Sequence, residues 1–259
     1  VKRASQKKIP IILGSATPSV ESINNVQNGK YSLLTLRTKA DNTHLPTQQI
    51  IDLSNGKVID GFSSKTIVAI TKHLNQQNQV MIFINKRGFA RTLFCTSCGW
   101  KASCIRCDAR TTVHTNPDLL ICHYCGWKER LKTQCPECQN PDLISLGQGT
   151  QKLESSLGEH FPQTPIFRID RDSTRSQNQF AKTLKEINTG KPCILVGTQM
   201  LSKGHDFKNL TLVVVMEADV GFSAIDFRGP EKSAQQIFQV SGRSGRHNDK
   251  GEIILQTYD

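Results

Sequence analysis

Apolar residues in this chain gather into short unbroken runs separated by longer amphipathic stretches. Residues 80–84, 166–169, 193–196, 210–215 and 253–255 are nearly continuous in Val, Ile, Leu, Met and Phe. Such runs predict strands covered on both faces, because a strand with one wet face alternates polar and apolar residues instead. Between them, residues 65–76, 151–160, 177–188 and 230–240 space their apolar positions three and four apart, which predicts helices. Strands alternating with helices imply an α/β fold with a parallel, doubly wound sheet. A further apolar run at 9–13 leads into Gly14-Ser15-Ala16-Thr17-Pro18-Ser19, which reads as a strand end followed by capping residues for the next helix. Residues 252–258 close the chain as a strand.

The alternation breaks after residue 84, where cysteines take over. Eight of the nine fall into four Cys-x-x-Cys pairs: Cys95/Cys98, Cys104/Cys107, Cys122/Cys125 and Cys135/Cys138, with Cys193 alone. One such pair is a common redox motif, but four within 44 residues have the donor count of two closed Cys₄ zinc sites. Gly99 and Gly126 each follow a pair directly, and glycine tolerates the positive φ that turns backbone N–H groups toward the sulfurs. Sequential pairing leaves five residues between Cys98 and Cys104, a cramped loop, whereas 14 separate Cys107 from Cys122. A nested arrangement, outer pairs together and inner pairs together, is therefore preferred, with an interleaved one open. No further ligand type is indicated, so the sites read as structural. The module is an insertion into the sheet domain.

The formal charge is +11. Two zinc–tetrathiolate sites at −2 each lower the balance to about +7. The chain stays basic, which suits a polyanionic partner. Thiol-rich zinc sites fit a reducing cytoplasm. The longest purely apolar run, 212–216, is far too short to cross a membrane, and the basic start followed by 9–13 only imitates a signal peptide. The absence of an initiator Met and the closing strand read as an internal piece of a longer chain.

Two further segments have the residue types for phosphate chemistry. Gln239-Val240-Ser241-Gly242-Arg243-Ser244-Gly245-Arg246 places two arginines three apart at a helix end, a fork for phosphate; taken alone it is equally a solvated basic turn. Gly197-Thr198 followed by Lys203-Gly204-His205-Asp206 begins at the carboxyl end of a predicted parallel strand, where open α/β sheets bind ligands.

Taken in order, these segments resemble the motor of superfamily 2 helicases: Ser15-Ala16-Thr17 matches motif III, Thr198 to Asp206 motif V, and Gln239 to Arg246 motif VI. The eight-cysteine insertion after Asn85-Lys86-Arg87-Gly88-Phe89-Ala90, with Gly147-Gln148-Gly149-Thr150-Gln151-Lys152-Leu153-Glu154 and Arg168-Ile169-Asp170-Arg171-Asp172-Ser173-Thr174, narrows it. The whole chain resembles the primosomal protein N′ (PriA) family of replication-restart helicases.

The resemblance implies an ATP-dependent 3′-to-5′ DNA helicase that recognises stalled forks and D-loops and reloads the replisome, built from two RecA-like lobes with ATP and Mg²⁺ between them. It implies residues 1–26 as the end of lobe one, 27–94 as linker and start of lobe two, 95–138 as the zinc insertion and 139–259 as the rest of lobe two. It pairs Cys95, Cys98, Cys135 and Cys138 in one site and Cys104, Cys107, Cys122 and Cys125 in the other. Arg243 and Arg246 would approach the γ-phosphate, with Arg246 as the arginine finger. Gly204 and Asp206 would serve the nucleotide, Thr198 and Arg87 the DNA backbone, and Ser15 and Thr17 the link between lobes. Implied partners are forked and single-stranded DNA, other primosome proteins and single-stranded-DNA-binding protein, in a bacterial, nucleoid-associated setting without membrane. Trp100, Tyr124 and Trp127 read as packing for the zinc module or as a stacking surface for unpaired bases. No Gly-x-x-x-x-Gly-Lys-Ser/Thr phosphate loop occurs in the 259 residues, and no acidic Mg²⁺ box precedes Gly14, so this piece alone is expected to be inactive. A non-enzymatic zinc-ribbon module that binds nucleic acid or protein is the competing reading.

Overall fold

The computed structural model describes residues 1–36, 46–54, 58–84, 92–107, 109–115, 117–146, 150–170, 177–202, 206–219, 227–245 and 251–258. The chain forms two compact units, Val1–Thr38 and Lys39–Asp259.

The first unit holds α1 (Lys2–Gln6) and α2 (Val20–Gln27). Ser19 is the N-cap of α2: its hydroxyl oxygen accepts the backbone N–H of Ser22 at 3.2 Å, one of the donors a helix start leaves open. The strand expected at 9–13 is not formed, and Ile12 is 86 % exposed. An apolar run becomes a strand only where a neighbour takes its N–H and C=O groups, and no described strand pairs with it.

The second unit is organised by a six-stranded sheet, ordered β1-β13-β12-β4-β11-β10 and parallel throughout. Its strands are β1 (Thr47–Asp52), β4 (Gln79–Ile84), β10 (Ile166–Ile169), β11 (Ile194–Gly197), β12 (Leu210–Met216) and β13 (Glu252–Thr257). Every residue of β4 and β12 is buried, as the unbroken apolar runs predicted. Alternate residues feed two cores. Val80, Ile82, Val214 and Ile254 pack with Ile70 and Leu74 of α3 (Ser64–Asn75) and with Leu153 and Leu157 of α4 (Thr150–His160). Met81, Phe83, Leu195, Val213 and Val215 pack on the other face with Ile187 of α5 (Gln177–Ile187), Leu201 of α6 (Gln199–Ser202) and Val240 of α7 (Gly229–Ser241).

Edge strand β1 escaped the sequence reading because four of its first five residues, Thr47 to Ile50, face water and carry no unbroken apolar signal. A small hairpin, β2 (Val58–Ile59) and β3 (Phe62–Ser63), precedes α3. Ser63 caps α3, and both its backbone N–H (2.9 Å) and the Thr66 hydroxyl (2.6 Å) donate to Gln256 Oε1, so the helix start is tied to β13.

The cysteine module leaves the sheet domain along β5 (Thr92–Cys95) and returns along β9 (Leu143–Leu146), antiparallel and in register from Thr92↔Leu146 to Cys95↔Leu143. Between them β6 (Thr112–Thr115), β7 (Asp118–Ile121) and β8 (Lys128–Arg130) form an antiparallel sheet. Its core is small: Leu93, Ala102, Val113 and Leu120, with Trp100, Leu131 and Leu143 packed against them. No described helix is long and apolar enough to cross a membrane.

Candidate metal centres and sheet-edge site

All four Cys-x-x-Cys pairs fold into the same knuckle. The backbone N–H of the first cysteine donates to a carbonyl five residues on: Cys95 to Trp100, Cys104 to Ala109, Cys122 to Trp127 and Cys135 to Asn140, at 2.8–2.9 Å. In three knuckles the residue after the second cysteine donates back to the first: Gly99 to Cys95, Gly126 to Cys122 and Gln139 to Cys135. That residue sits at φ +77° for both glycines and +63° for Gln139, so the positive φ is required and glycine is its least strained solution.

The knuckles pair in the nested order. Cys95, Cys98, Cys135 and Cys138 form one cluster and Cys104, Cys107, Cys122 and Cys125 the other, with all sulfurs of a cluster within 4.8 Å of one another. Cys95–Cys138, Cys98–Cys135 and Cys107–Cys122 lie at 3.5 Å and Cys104–Cys125 at 3.4 Å. A Zn–S bond of about 2.3 Å places the corners of a sulfur tetrahedron about 3.8 Å apart, so both clusters have the size zinc requires.

The electrostatics agree. The N–H of Cys125 and, against burial, that of Tyr124 lower the Cys122 thiol to about 7. At Cys135 burial opposes ionisation, but the N–H groups of Cys138 and Glu137 prevail and again bring it to about 7. At Cys98 the N–H of Trp100 favours the thiolate, yet desolvation and the sulfurs of Cys138, Cys135 and Cys95 outweigh it and push the thiol up to about 12. Cys107 reaches about 12 in the same way, opposite the N–H of Ala109. Four thiolates this close do not coexist without a cation between them, and a divalent ion supplies what is missing.

Trp100 belongs to the module core, and the Trp127 carbonyl closes a knuckle. Tyr124, at a knuckle tip, is 74 % exposed and is the aromatic side chain of the three that is free to meet a partner.

The second set of candidate residues lies along the parallel sheet. Thr198 directly follows β11 at the carboxyl edge, half-buried, with its carbonyl accepting the Leu201 N–H at 2.9 Å. Asp206 is exposed, and it is not at that edge. α6 packs Leu201 into the core on one sheet face, and at the amino edge Phe207 packs in the same core while its carbonyl accepts the Leu210 N–H at the start of β12. Thr198 and Asp206 therefore stand towards opposite edges of the sheet, and residues 203–205 between them lie outside the described residues. The next parallel strand must begin at the opposite edge, so the connection has to travel.

Arg243 joins Asp206 on the amino-edge side. It is half-buried in the turn that follows α7. That turn is fastened to the sheet: Gly245 N–H donates to Leu210 O at 2.9 Å, and the Ser244 hydroxyl donates to Thr211 O (2.8 Å) and faces Glu252 O (3.2 Å). A Cβ on Gly251 would lie 2.8–2.9 Å from Ser244, so glycine is what lets the turn approach β13. Arg87, Gly204 and Arg246 lie outside the described residues, as do 85–90, 147–149 and 171–174 of the quoted motifs.

Two polar networks at the carboxyl edge were not singled out from sequence. Asp170, just after β10, accepts the Thr150 hydroxyl at 2.6 Å and pairs with Arg168 Nε at 3.3 Å, and Arg168 Nη1 reaches Glu154 at 3.0 Å. All four belong to quoted motifs, so the signal was there but its pairing was not. Buried Asp219 accepts the Thr257 hydroxyl and the Tyr258 N–H (2.7 Å). Burial, with the charges of Glu217 and Asp219, pushes the Tyr258 phenol up to about 12. The Tyr258 ring packs on Phe94 of β5 at 4.9 Å between centroids, tying the root of the cysteine module to this edge.

Two family models match the chain. Residues 104–130 match the PriA DNA helicase Cys-rich region domain, and 134–248 match the helicase conserved C-terminal domain. Replication restart protein PriA of Haemophilus influenzae is 44% identical over 255 residues, covering 98% of this chain and 35% of that protein. The Bacillus subtilis protein of the same name is 38% identical over 262 residues, covering 100% of this chain and 32% of its own length. The chain thus spans about a third of the length of these curated relatives. Among solved structures, S. cerevisiae Dbp5 bound to RNA and ADP BeF3 aligns over 98% of this chain and 48% of its own, at 12% identity and a TM-score of 0.47.

Proposed function

The chain belongs to the PriA family of replication-restart helicases, and we propose that it supplies the second motor lobe and the zinc module of an ATP-dependent 3′-to-5′ DNA helicase that restarts replication at stalled forks and D-loops. The observation that carries this reading is the nested two-cluster module set between β4 and α4 of a parallel sheet. A free-standing zinc ribbon has no use for that frame. In this reading residues 1–26 close lobe one, 27–94 and 139–259 make lobe two, and 95–138 are the insertion.

Arg243 and Arg246 face the γ-phosphate of a nucleotide bound between lobes, and Gly204 and Asp206 approach its ribose or the surrounding water. Thr198 and Arg87 bond DNA phosphates, and Ser15 and Thr17 join the lobes. Two structural zinc ions occupy the cysteine clusters. ATP and Mg²⁺ require a phosphate loop, and the 259 residues contain no such pattern. Partners are forked and single-stranded DNA, primosome proteins and single-stranded-DNA-binding protein, in the bacterial cytoplasm at the nucleoid.

The test uses the full-length protein. Arg246→Ala should lower DNA-stimulated ATP turnover by roughly 10³-fold, the scale of an arginine finger, and unwinding with it. DNA affinity should be kept, and lysine should rescue poorly because it lacks the planar fork. A basic surface turn gives the reverse, with near-normal turnover and weaker, less salt-sensitive DNA binding. That result would remove Arg246 from the motor.

A further inference from the structure

The zinc module contains a pair of side chains that neither cysteine cluster uses. His114, on β6, and His123, in the knuckle that follows β7, bring their Nε2 atoms to 3.2 Å, with ring centroids 5.3 Å apart and planes inclined by 52°. Neither belongs to the module core. Val113, the neighbour of His114, points inward and is buried. His123 lies on the exposed side of a knuckle whose own sulfur, on Cys122, points to the other cluster members.

The backbone beneath both rings is fixed independently of them. Thr112↔Ile121 and Val113↔Leu120 set the β6–β7 register, and the four-cysteine cluster sets the knuckle. The rings therefore meet because the frame delivers them. A first-row divalent ion binds imidazole nitrogen at about 2.0–2.1 Å, and two such bonds to nitrogens 3.2 Å apart enclose roughly 100–105°, close to the tetrahedral angle. Imidazole is a ligand that zinc, nickel and copper(II) all accept.

We propose that His114 and His123 form a third metal site on this module, taking a first-row divalent ion such as Zn²⁺ through the two Nε2 atoms. Among the described residues no other His, Cys, Asp or Glu joins the pair, since only the two cysteine clusters bring three or more such groups together. The remaining coordination positions are therefore open to water or to an oxygen of a bound anion. With two protein ligands at the surface, this site exchanges its ion readily, unlike the two closed cysteine sites.

The test starts from protein holding its two cysteine-bound zinc ions and titrates in further Zn²⁺ by calorimetry, in a buffer that does not chelate zinc. The expected result is one additional equivalent per chain. It should be lost in His114→Ala and in His123→Ala, while elemental analysis still finds two tight zinc ions in each variant. If His123→Ala fails to keep two zinc ions, His114→Ala and His114→Gln decide alone, because β6 contributes no cysteine. Two results overturn the proposal: no third equivalent in the parent protein, leaving an N–H···N hydrogen bond, or a third equivalent that survives both His114 variants.

Discussion

Gly197 ends β11, stands opposite Ile169 of β10 and immediately precedes Thr198. A Cβ placed on it would collide with the Ile169 carbonyl oxygen and lie 2.7 Å from Leu201 Cδ1. One obstacle is strand backbone and the other is a fully buried leucine, so neither side can give way cheaply. Overpacking of this kind costs about 1–3 kcal/mol, and prising β10 from β11 weakens a ladder hydrogen bond worth about 1 kcal/mol. Alanine returns about 0.4–1 kcal/mol by restricting the unfolded chain. Gly197→Ala should therefore destabilise the sheet domain by about 1–3 kcal/mol, lowering its melting temperature by roughly 3–10 °C at this size. Gly158, inside α4, is the control: nothing lies within 4 Å of its added Cβ, so Gly158→Ala should stabilise by about 0.5–1 kcal/mol. Both tryptophans, Trp100 and Trp127, lie in the cysteine module, whereas the long helices lie on the sheet. Urea unfolding followed by far-UV circular dichroism should register the loss in Gly197→Ala, while tryptophan fluorescence should shift little. Equal stability of Gly197→Ala and the parent, or a shift of the same sign in both variants, would refute the packing argument.

Protein purified without added metal should contain two zinc ions per chain by elemental analysis; one or none would contradict the cluster geometry. Strong chelation should unfold the module between β5 and β9 while amide exchange in β4 and β12 stays slow, because structural zinc is folding energy for the small core it serves and the sheet has its own. Acid should release zinc, since protons compete for the eight thiolates, with loss increasing as pH falls in an equilibrium competition with a chromogenic chelator. The chain on its own should neither hydrolyse ATP nor bind it tightly, because arginines without a phosphate-loop backbone cradle do not hold a triphosphate. DNA-stimulated turnover by the pure chain would show that the active site has been misplaced.

Burial on both faces made most of the sheet legible. β4, β11 and β12 are nearly continuous apolar runs, β10 and β13 carry shorter ones, and the helices between them follow by spacing. The same rule misled at 9–13, where hydrophobicity is present but no described partner strand is. It missed β1, whose edge position leaves all its side chains but that of Ile51 in water. Cysteine spacing favoured the nested pairing, and Gly99 and Gly126 marked two knuckle turns; Gln139 shows why glycine is an incomplete signal for the third. Contacts set by packing and register were invisible in one dimension. Asp170 with Thr150 depends on how α4 packs beside β10, and His114 with His123 on the exact β6–β7 register, which residue types alone do not reveal.

The placing of Thr198 and Asp206 towards opposite edges of the sheet would, on the proposed function, let one lobe meet two ligands. At the carboxyl edge stand Thr198, the Asp170 network and, through Phe94 and Tyr258, the root of the zinc module. At the amino edge stand Asp206 and the Arg243 turn, fastened to Leu210, Thr211 and Glu252. On the proposed reading the first edge meets DNA and the second meets nucleotide. α6, which follows Thr198, packs Leu201 into the same core as Val240 of α7, just ahead of Arg243. Gly197, next to Thr198, lies close enough to Ile169 and Leu201 to leave no room for a Cβ, so on the proposed reading a displacement at Thr198 would press on Leu201 of α6. Through the core that Leu201 shares with Val240, that pressure would reach α7 and the turn that holds Arg243. The tightness that makes Gly197→Ala costly is, on this argument, also what would let a DNA contact at one edge bias the arginines at the other.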